Sequence, residues 1–178
     1  MLKIDKKVEL YNYEDVAYMA VVAFGNAATS LDYDLALDTT TDWTWIPDLT
    51  CPNACDDFID KANPWTGYSA AAGGTATATT KTLKYMGSNN ITGKIYTGVE
   101  VAANSDLWVA MPVLSITSYQ GSWSQNYHGI LGLNHATPNG GSLWVESLAN
   151  ATKIDENKFS LYFTAKDANK EAYLELGL

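Results

Sequence analysis

Apolar and polar positions alternate along much of this chain, and the alternation reads mostly as β-strand. Residues 18 to 25, YMAVVAFG, form an apolar run closed by the turn signal Gly25-Asn26. In the following SLDYDLALD, Leu31, Tyr33, Leu35 and Leu37 point one way and Asp32 and Asp34 the other. The two runs predict a hairpin with one buried face. A Thr-rich strand, TATATTKTLKYM (75 to 86), is separated by the polar turn GSNN from a second strand group, GKIYTGVEVA (93 to 102). A third apolar group, LWVAMPVLSI, covers 107 to 116. FSLYFT (159 to 164) and AYLELGL (172 to 178) predict a final hairpin across the polar turn AKDANKE. Helix is scarce. The best candidate is GSLWVESLAN (141 to 150), with Leu143, Val145 or Glu146, and Leu148 on one face and Ser142 as the cap. ACDDFIDK offers a second short turn of helix. The expectation is an all-β lobe with one or two short helices, undivided by any long linker and without internal repeats.

Composition fits that expectation. The chain has 178 residues, 47% of them hydrophobic, with six Trp and eleven Tyr, enough for a packed core and against disorder. Its net charge of −9 argues against nucleic-acid binding, because an acidic surface repels phosphates. No apolar run approaches the roughly 20 residues that cross a bilayer as a helix. The opening MLKIDKKVEL is too polar for a signal peptide, so the targeting segment of a secreted form is expected outside this chain.

The two cysteines, Cys51 and Cys55, are expected to form a local disulfide. Metal sites use tighter pairs with further ligands, so no metal is expected, and no cofactor. In the chain-entropy model a loop this short is worth about 2 kcal/mol. The bond implies an oxidising compartment. The sequons at Asn90 and Asn150 are candidate N-glycosylation sites that agree with such a compartment.

The run LALDTTTDWTWIP, 35 to 47, delivers one carboxylate, Asp38, into three consecutive threonines. Taken alone, an Asp at a strand end forms an Asx-turn with its own backbone. Tyr85 alone is a cross-strand packing residue. His128 and His135 are simplest as surface or hydrogen-bonded histidines. The order of segments changes the weight of Asp38 and Tyr85. YMAVVAFGNAATSLDYDLALDTTTDWTWIP, CPNAC, LKYMGSNNITG, YHGILGL, and the pair NKFSLYFT and YLELGL follow one another as in the amino-terminal lobe of pepsin-like aspartic proteases. The resemblance covers roughly residues 8 to 178.

That resemblance implies roles. Asp38 would be the catalytic aspartate, Thr39 the residue that locks two lobes' catalytic loops together, and Thr41 a hydrogen-bond donor to the carboxylate. Tyr85, Met86 and Gly87 would belong to the flap over substrate. Trp45 would pack beneath the flap and bond Tyr85. Ile130, Leu131 and Gly132 would support the catalytic loop. The sequence departs from the family at Thr40, where the triplet Asp-Thr/Ser-Gly has Gly, and at His128, where Asp is common. A β-branched residue adds bulk against the carboxylate that Gly does not.

The chemistry of the family needs two carboxylates that share a proton. This chain offers one such loop; Asp106 and Asp155 lack the apolar lead-in and the Thr/Ser follower. The expectation is therefore one lobe, 1 to 178, with the second Asp on a separate carboxy-terminal lobe or a second copy of this chain. Its substrate would be a peptide or protein. The alternative is a pepsin-like domain without catalysis, used for binding or assembly. Either would lie outside the cell or in an acidic or secretory lumen.

Overall fold

The computed structural model describes residues 6–25, 28–51, 55, 67–68, 73–85, 87, 89–120, 127–135, 137, 140–141, 143–166 and 170–177. Among them lie ten strands and one helix. The strands are β1 (Lys7–Tyr13), β2 (Ala17–Phe24), β3 (Leu31–Asp38), β4 (Trp45–Pro47), β5 (Thr75–Tyr85), β6 (Asn89–Ala102), β7 (Val109–Gln120), β8 (Gly129–Gly132), β9 (Phe159–Tyr162) and β10 (Ala172–Leu176). The helix is α1 (Trp144–Asn150). The expected all-β class with a short helix is what the chain forms.

The strands join into one sheet of order β5-β6-β7-β4-β8-β3-β2-β1-β10-β9, and a further β6–β2 pairing closes part of it on itself. That closure rests on Ala23 opposite Ala102 and Phe24 opposite Val101. Closing a sheet removes exposed edges and leaves an interior to fill with side chains. β2 fills it with Ala20, Val22 and Phe24, at the period of two that a strand imposes. β3 adds Tyr33 and Leu35 to the same core. Ala36 and Met19 belong instead to a second core with Trp43, Trp45, Tyr85, Ile91, Tyr119, Tyr127 and Ile130. The end of β3 is thus covered on both faces, which explains why Leu35-Ala36-Leu37 is continuously apolar.

Several expectations need correction. Leu31 is exposed rather than buried with Tyr33 and Leu35, because it stands at the start of β3, opposite Phe24 at the rim. β1 was not expected from its polar sequence. It splits its pairing, giving Lys7 to Leu10 to β10 and Tyr11 to Tyr13 to β2. It buries only Val8 and Leu10 in the core. Helix α1 starts later than predicted. Its N-cap position is Leu143, with no side-chain cap bond, so packing of Trp144, Val145 and Leu148 holds it rather than capping. The expected cap Ser142, the flap residue Met86 and nearly all of ACDDFIDK lie outside the described residues. Cys51 and Cys55 are disulfide-bonded, as expected. No helix among the described residues is long and apolar enough to cross a membrane.

Candidate active site

Asp38 is the last residue of β3, and its position is fixed by the strand beside it. β8 runs parallel to β3 with Leu35 opposite Gly129, Ala36 opposite Ile130, Leu37 opposite Leu131 and Asp38 opposite Gly132. The N–H of Leu133 donates to the Asp38 carbonyl at 2.8 Å, which holds the chain just where the carboxylate emerges. β8 is wedged on its other side by β4, where Ile130 pairs with Trp45. The fit leaves no room for side chains at its glycines. A Cβ at Gly129 would stand 2.2 Å from the Trp45 carbonyl oxygen, and one at Gly132 would stand 2.6 Å from that of Trp43. The segment Ile130-Leu131-Gly132 therefore lies directly against the Asp38 loop, all three residues buried.

The loop after Asp38 is a network of short polar contacts. Thr40 donates twice to Asp38 Oδ1, from its backbone N–H at 2.7 Å and its hydroxyl at 2.6 Å. The Thr41 hydroxyl donates to Oδ2 at 2.6 Å. Asn134 Nδ2 donates to the Thr40 carbonyl at 3.1 Å, and Thr44 Oγ1 accepts from the Gly132 N–H at 3.3 Å. Asp42, four residues on, accepts from the Thr137 hydroxyl with its carboxylate and from the Gly141 N–H with its carbonyl, which ties both residues to the loop. The Asx-turn expected for an isolated Asp and the carboxylate support expected from the resemblance are both present. The turn uses Oδ1 and the Thr41 hydroxyl uses Oδ2.

Across from this loop stands the hairpin of β5 and β6, whose tip is reached where Tyr85 pairs with Asn89. Asp38, Thr40, Thr41, Asp42, Trp45, Leu83, Lys84, Tyr85 and Ile91 line one groove of about 350 Å³ between hairpin and loop. Gly87 sits at the tip with a φ of +80° and nothing within 4 Å of where a Cβ would be. That left-handed backbone is what glycine supplies at a hairpin turn. Tyr85 is buried and meets Trp45 edge to face, with ring centroids 5.3 Å apart. The expected Trp45–Tyr85 contact is therefore one between rings. The Tyr85 hydroxyl lies 3.4 Å from that of Tyr127.

Tyr127 was missed in the sequence. Its only signal was its place directly before His128 and the buried strand β8. Burial pushes the Tyr85 hydroxyl far up from its ordinary value, with the Tyr127 hydroxyl and the Asp38 charge adding to it. Burial raises Tyr127 as well; the bond to Tyr85 opposes that rise and the Asp38 charge supports it. Both phenols stay neutral and keep their protons for hydrogen bonding.

The remaining predicted residues fall elsewhere. Thr39 is exposed and lines a separate cavity of about 390 Å³ with Leu133, Asn134 and Phe159. Asn90 is half-buried in β6 between β5 and β7, whereas Asn150 is exposed at the end of α1. His128 Nδ1 accepts the Asp34 N–H at 2.9 Å, a hydrogen-bonded histidine as expected. Among the described residues no cluster of His, Cys, Asp and Glu is arranged to hold a metal ion.

The family model of eukaryotic aspartyl proteases matches residues 17–178. The chain belongs to that family. The match begins at the first residue of β2 and takes in the Asp38 loop, the Tyr85 hairpin and the β8 segment. Aspartic-type peptide hydrolysis is the chemistry of an aspartyl protease, and a peptide is its substrate. No curated protein matches the chain.

Proposed function

We propose that this chain is one lobe of an aspartic endopeptidase and contributes one catalytic carboxylate, Asp38, to a two-lobe assembly. The observation that carries the proposal is the single groove in which Asp38, Thr41 and Trp45 face Tyr85 of the hairpin. A substrate peptide would lie between hairpin and loop, and Tyr85 and Gly87 would close over it. Thr41 would orient the carboxylate. A second lobe, separate or a copy of this one, would supply the other carboxyl near the exposed Thr39. One carboxylate would take a proton from water, whose oxygen adds to the peptide carbonyl carbon. The other carboxyl would give its proton to the carbonyl oxygen. The disulfide favours a secreted or lumenal site, with glycosylation at the exposed Asn150.

The second reading is a pepsin-like domain that binds or assembles without cleaving. The two Thr40 contacts to Oδ1 favour it, since they fill an oxygen the reaction uses. The deciding experiment is cleavage of a denatured protein at pH about 3 to 5, near the ordinary carboxylate range, by the assembled two-lobe protein. The enzyme reading expects cleavage that an aspartic-protease inhibitor stops and that Asp38→Asn abolishes while folding persists. No cleavage by a verified assembly across that range selects the binding module.

A further inference from the structure

Asp38 has fewer open acceptor positions than the chemistry requires. An ionised carboxylate offers about four lone-pair sites. Oδ1 accepts two donors, the N–H and the hydroxyl of Thr40, and Oδ2 accepts the hydroxyl of Thr41. What is left is at most one site, on Oδ2. A carboxylate that shares a proton with a partner carboxyl and also takes one from water needs two.

The same turn occurs again ten residues on, at a buried carboxylate. Asp48 Oδ1 accepts the Thr50 N–H at 2.9 Å and the Thr50 hydroxyl at 2.6 Å, and Oδ2 accepts the Ser115 hydroxyl at 2.8 Å. Asp48 is 8% exposed, and filling its oxygens is what makes burial of a carboxylate tolerable. An Asp with Thr two residues later is thus a local device of this chain for saturating Oδ1. At Asp48 the device satisfies a buried charge. At Asp38 it closes one oxygen of a carboxylate that lines the groove.

We propose that Thr40 is a positioning residue that controls Asp38: its hydroxyl keeps Oδ1 closed to water, and catalysis requires that hydroxyl to turn away. This deepens the paired-lobe reading and rests on it. Thr40 is exposed, so its hydroxyl has solvent to donate to when it leaves the carboxylate. The exchange of one hydrogen-bond partner for another costs little at an exposed position. The backbone N–H of Thr40 and the Thr41 hydroxyl remain in place and keep the carboxylate oriented. Thr40 then acts as a latch on an otherwise formed site.

The test reads the carboxylate directly and needs no peptidase activity. A small neutral epoxide is incubated with the native chain, and modified peptides are quantified by mass spectrometry. An Asp38 oxygen attacks an epoxide carbon, the ring C–O bond breaks and the ring oxygen takes a proton from water, leaving a hydroxyalkyl ester. The exposed Asp106 serves as the internal reference rate. Thr40→Ala and Thr40→Gly should raise the Asp38 rate several-fold relative to Asp106, and Thr40→Ser, which keeps the hydroxyl, should stay at the wild-type ratio. Thermal unfolding of each variant identifies any that fail to fold, and either Ala or Gly alone suffices for the comparison with Ser. Unchanged labelling in the Ala and Gly variants overturns the latch. So does a Ser variant that labels as fast as Ala, because the hydroxyl would then not be the cause. If Asp38 labelling behaves as expected but the assembled protein never cleaves, Thr40 still closes Oδ1, but the endopeptidase reading falls and the catalytic role of the latch falls with it.

Discussion

At the scale of single residues the site is a set of hydroxyls arranged around one carboxylate and one phenol pair. Asp38 is held by Thr40 and Thr41, and Tyr85 by Trp45 and Tyr127. The Tyr85–Tyr127 contact is long for an O–H···O bond, so its contribution should be at the lower end of the usual 0.5–1.5 kcal/mol. A double-mutant cycle with Tyr85→Phe and Tyr127→Phe, read by denaturant unfolding, should show a coupling of about 0.5 kcal/mol. Strict additivity would mean that the two hydroxyls do not depend on each other. The turn at Asp38 was legible from the residue type and the Thr41 bond from the resemblance, both within three residues of the carboxylate; the Thr40 side chain, expected only as bulk, instead donates its hydroxyl to Oδ1. Tyr127 was not legible, because what makes it a partner of Tyr85 is a fold that joins residues 42 positions apart. Asp42 escaped notice for the same reason, since its partner Thr137 is 95 positions away.

At the scale of elements, the site depends on how closely β8 approaches the loop that follows β3. The β2–β3 hairpin followed from an apolar run and an alternating one, and the β5–β6 hairpin and the final strand pair from strand-like runs on either side of polar turns. β4 did not, because three residues buried on both sides carry no period. The parallel register of β3 with β8 was beyond any periodicity, although the two glycines of Gly-Ile-Leu-Gly marked the closeness of the passage. Those glycines make a prediction at this scale. Gly132→Ala would drive a Cβ to 2.6 Å from the Trp43 carbonyl and 2.8 Å from that of Thr41, both backbone atoms that cannot step aside alone. It should destabilise the chain by about 3 kcal/mol or more, in the range of severe overpacking. Gly87→Ala meets no atom and costs only the strain of its positive φ, about 1 kcal/mol. Urea midpoints of the two variants should therefore separate clearly. Equal midpoints would show that β8 is free to move away from the loop.

At the scale of the whole molecule, two cores meet at β3, and both are built around tyrosines. Tyr33 and Tyr68 lie in the larger core, Tyr85, Tyr119 and Tyr127 in the one beside the groove. Two disjoint cores on opposite faces of one strand make the Asp38 loop rigid, since neither face of β3 can shift without opening a packed interior. The same arrangement ties stability to alkaline pH. Burial pushes the Tyr33 hydroxyl up to about 12, and it raises Tyr68, Tyr85 and Tyr127 as well. An unfolded tyrosine loses its proton near pH 10. Between about 10 and 12 the unfolded chain therefore holds fewer protons than the folded one, and stability falls as pH rises. Below that window these groups are protonated in both states and contribute no slope. Unfolding free energies measured by urea should thus show no tyrosine-dependent slope from pH 7 to 9 and decline steeply above 10. Tyr33→Phe should lower that steepness while leaving the neutral region level, whatever its effect on the absolute stability. An alkaline decline identical in slope for Tyr33→Phe and the parent would mean that the larger core admits water to Tyr33. The argument from two dry cores to a rigid carboxylate loop would then lose its support.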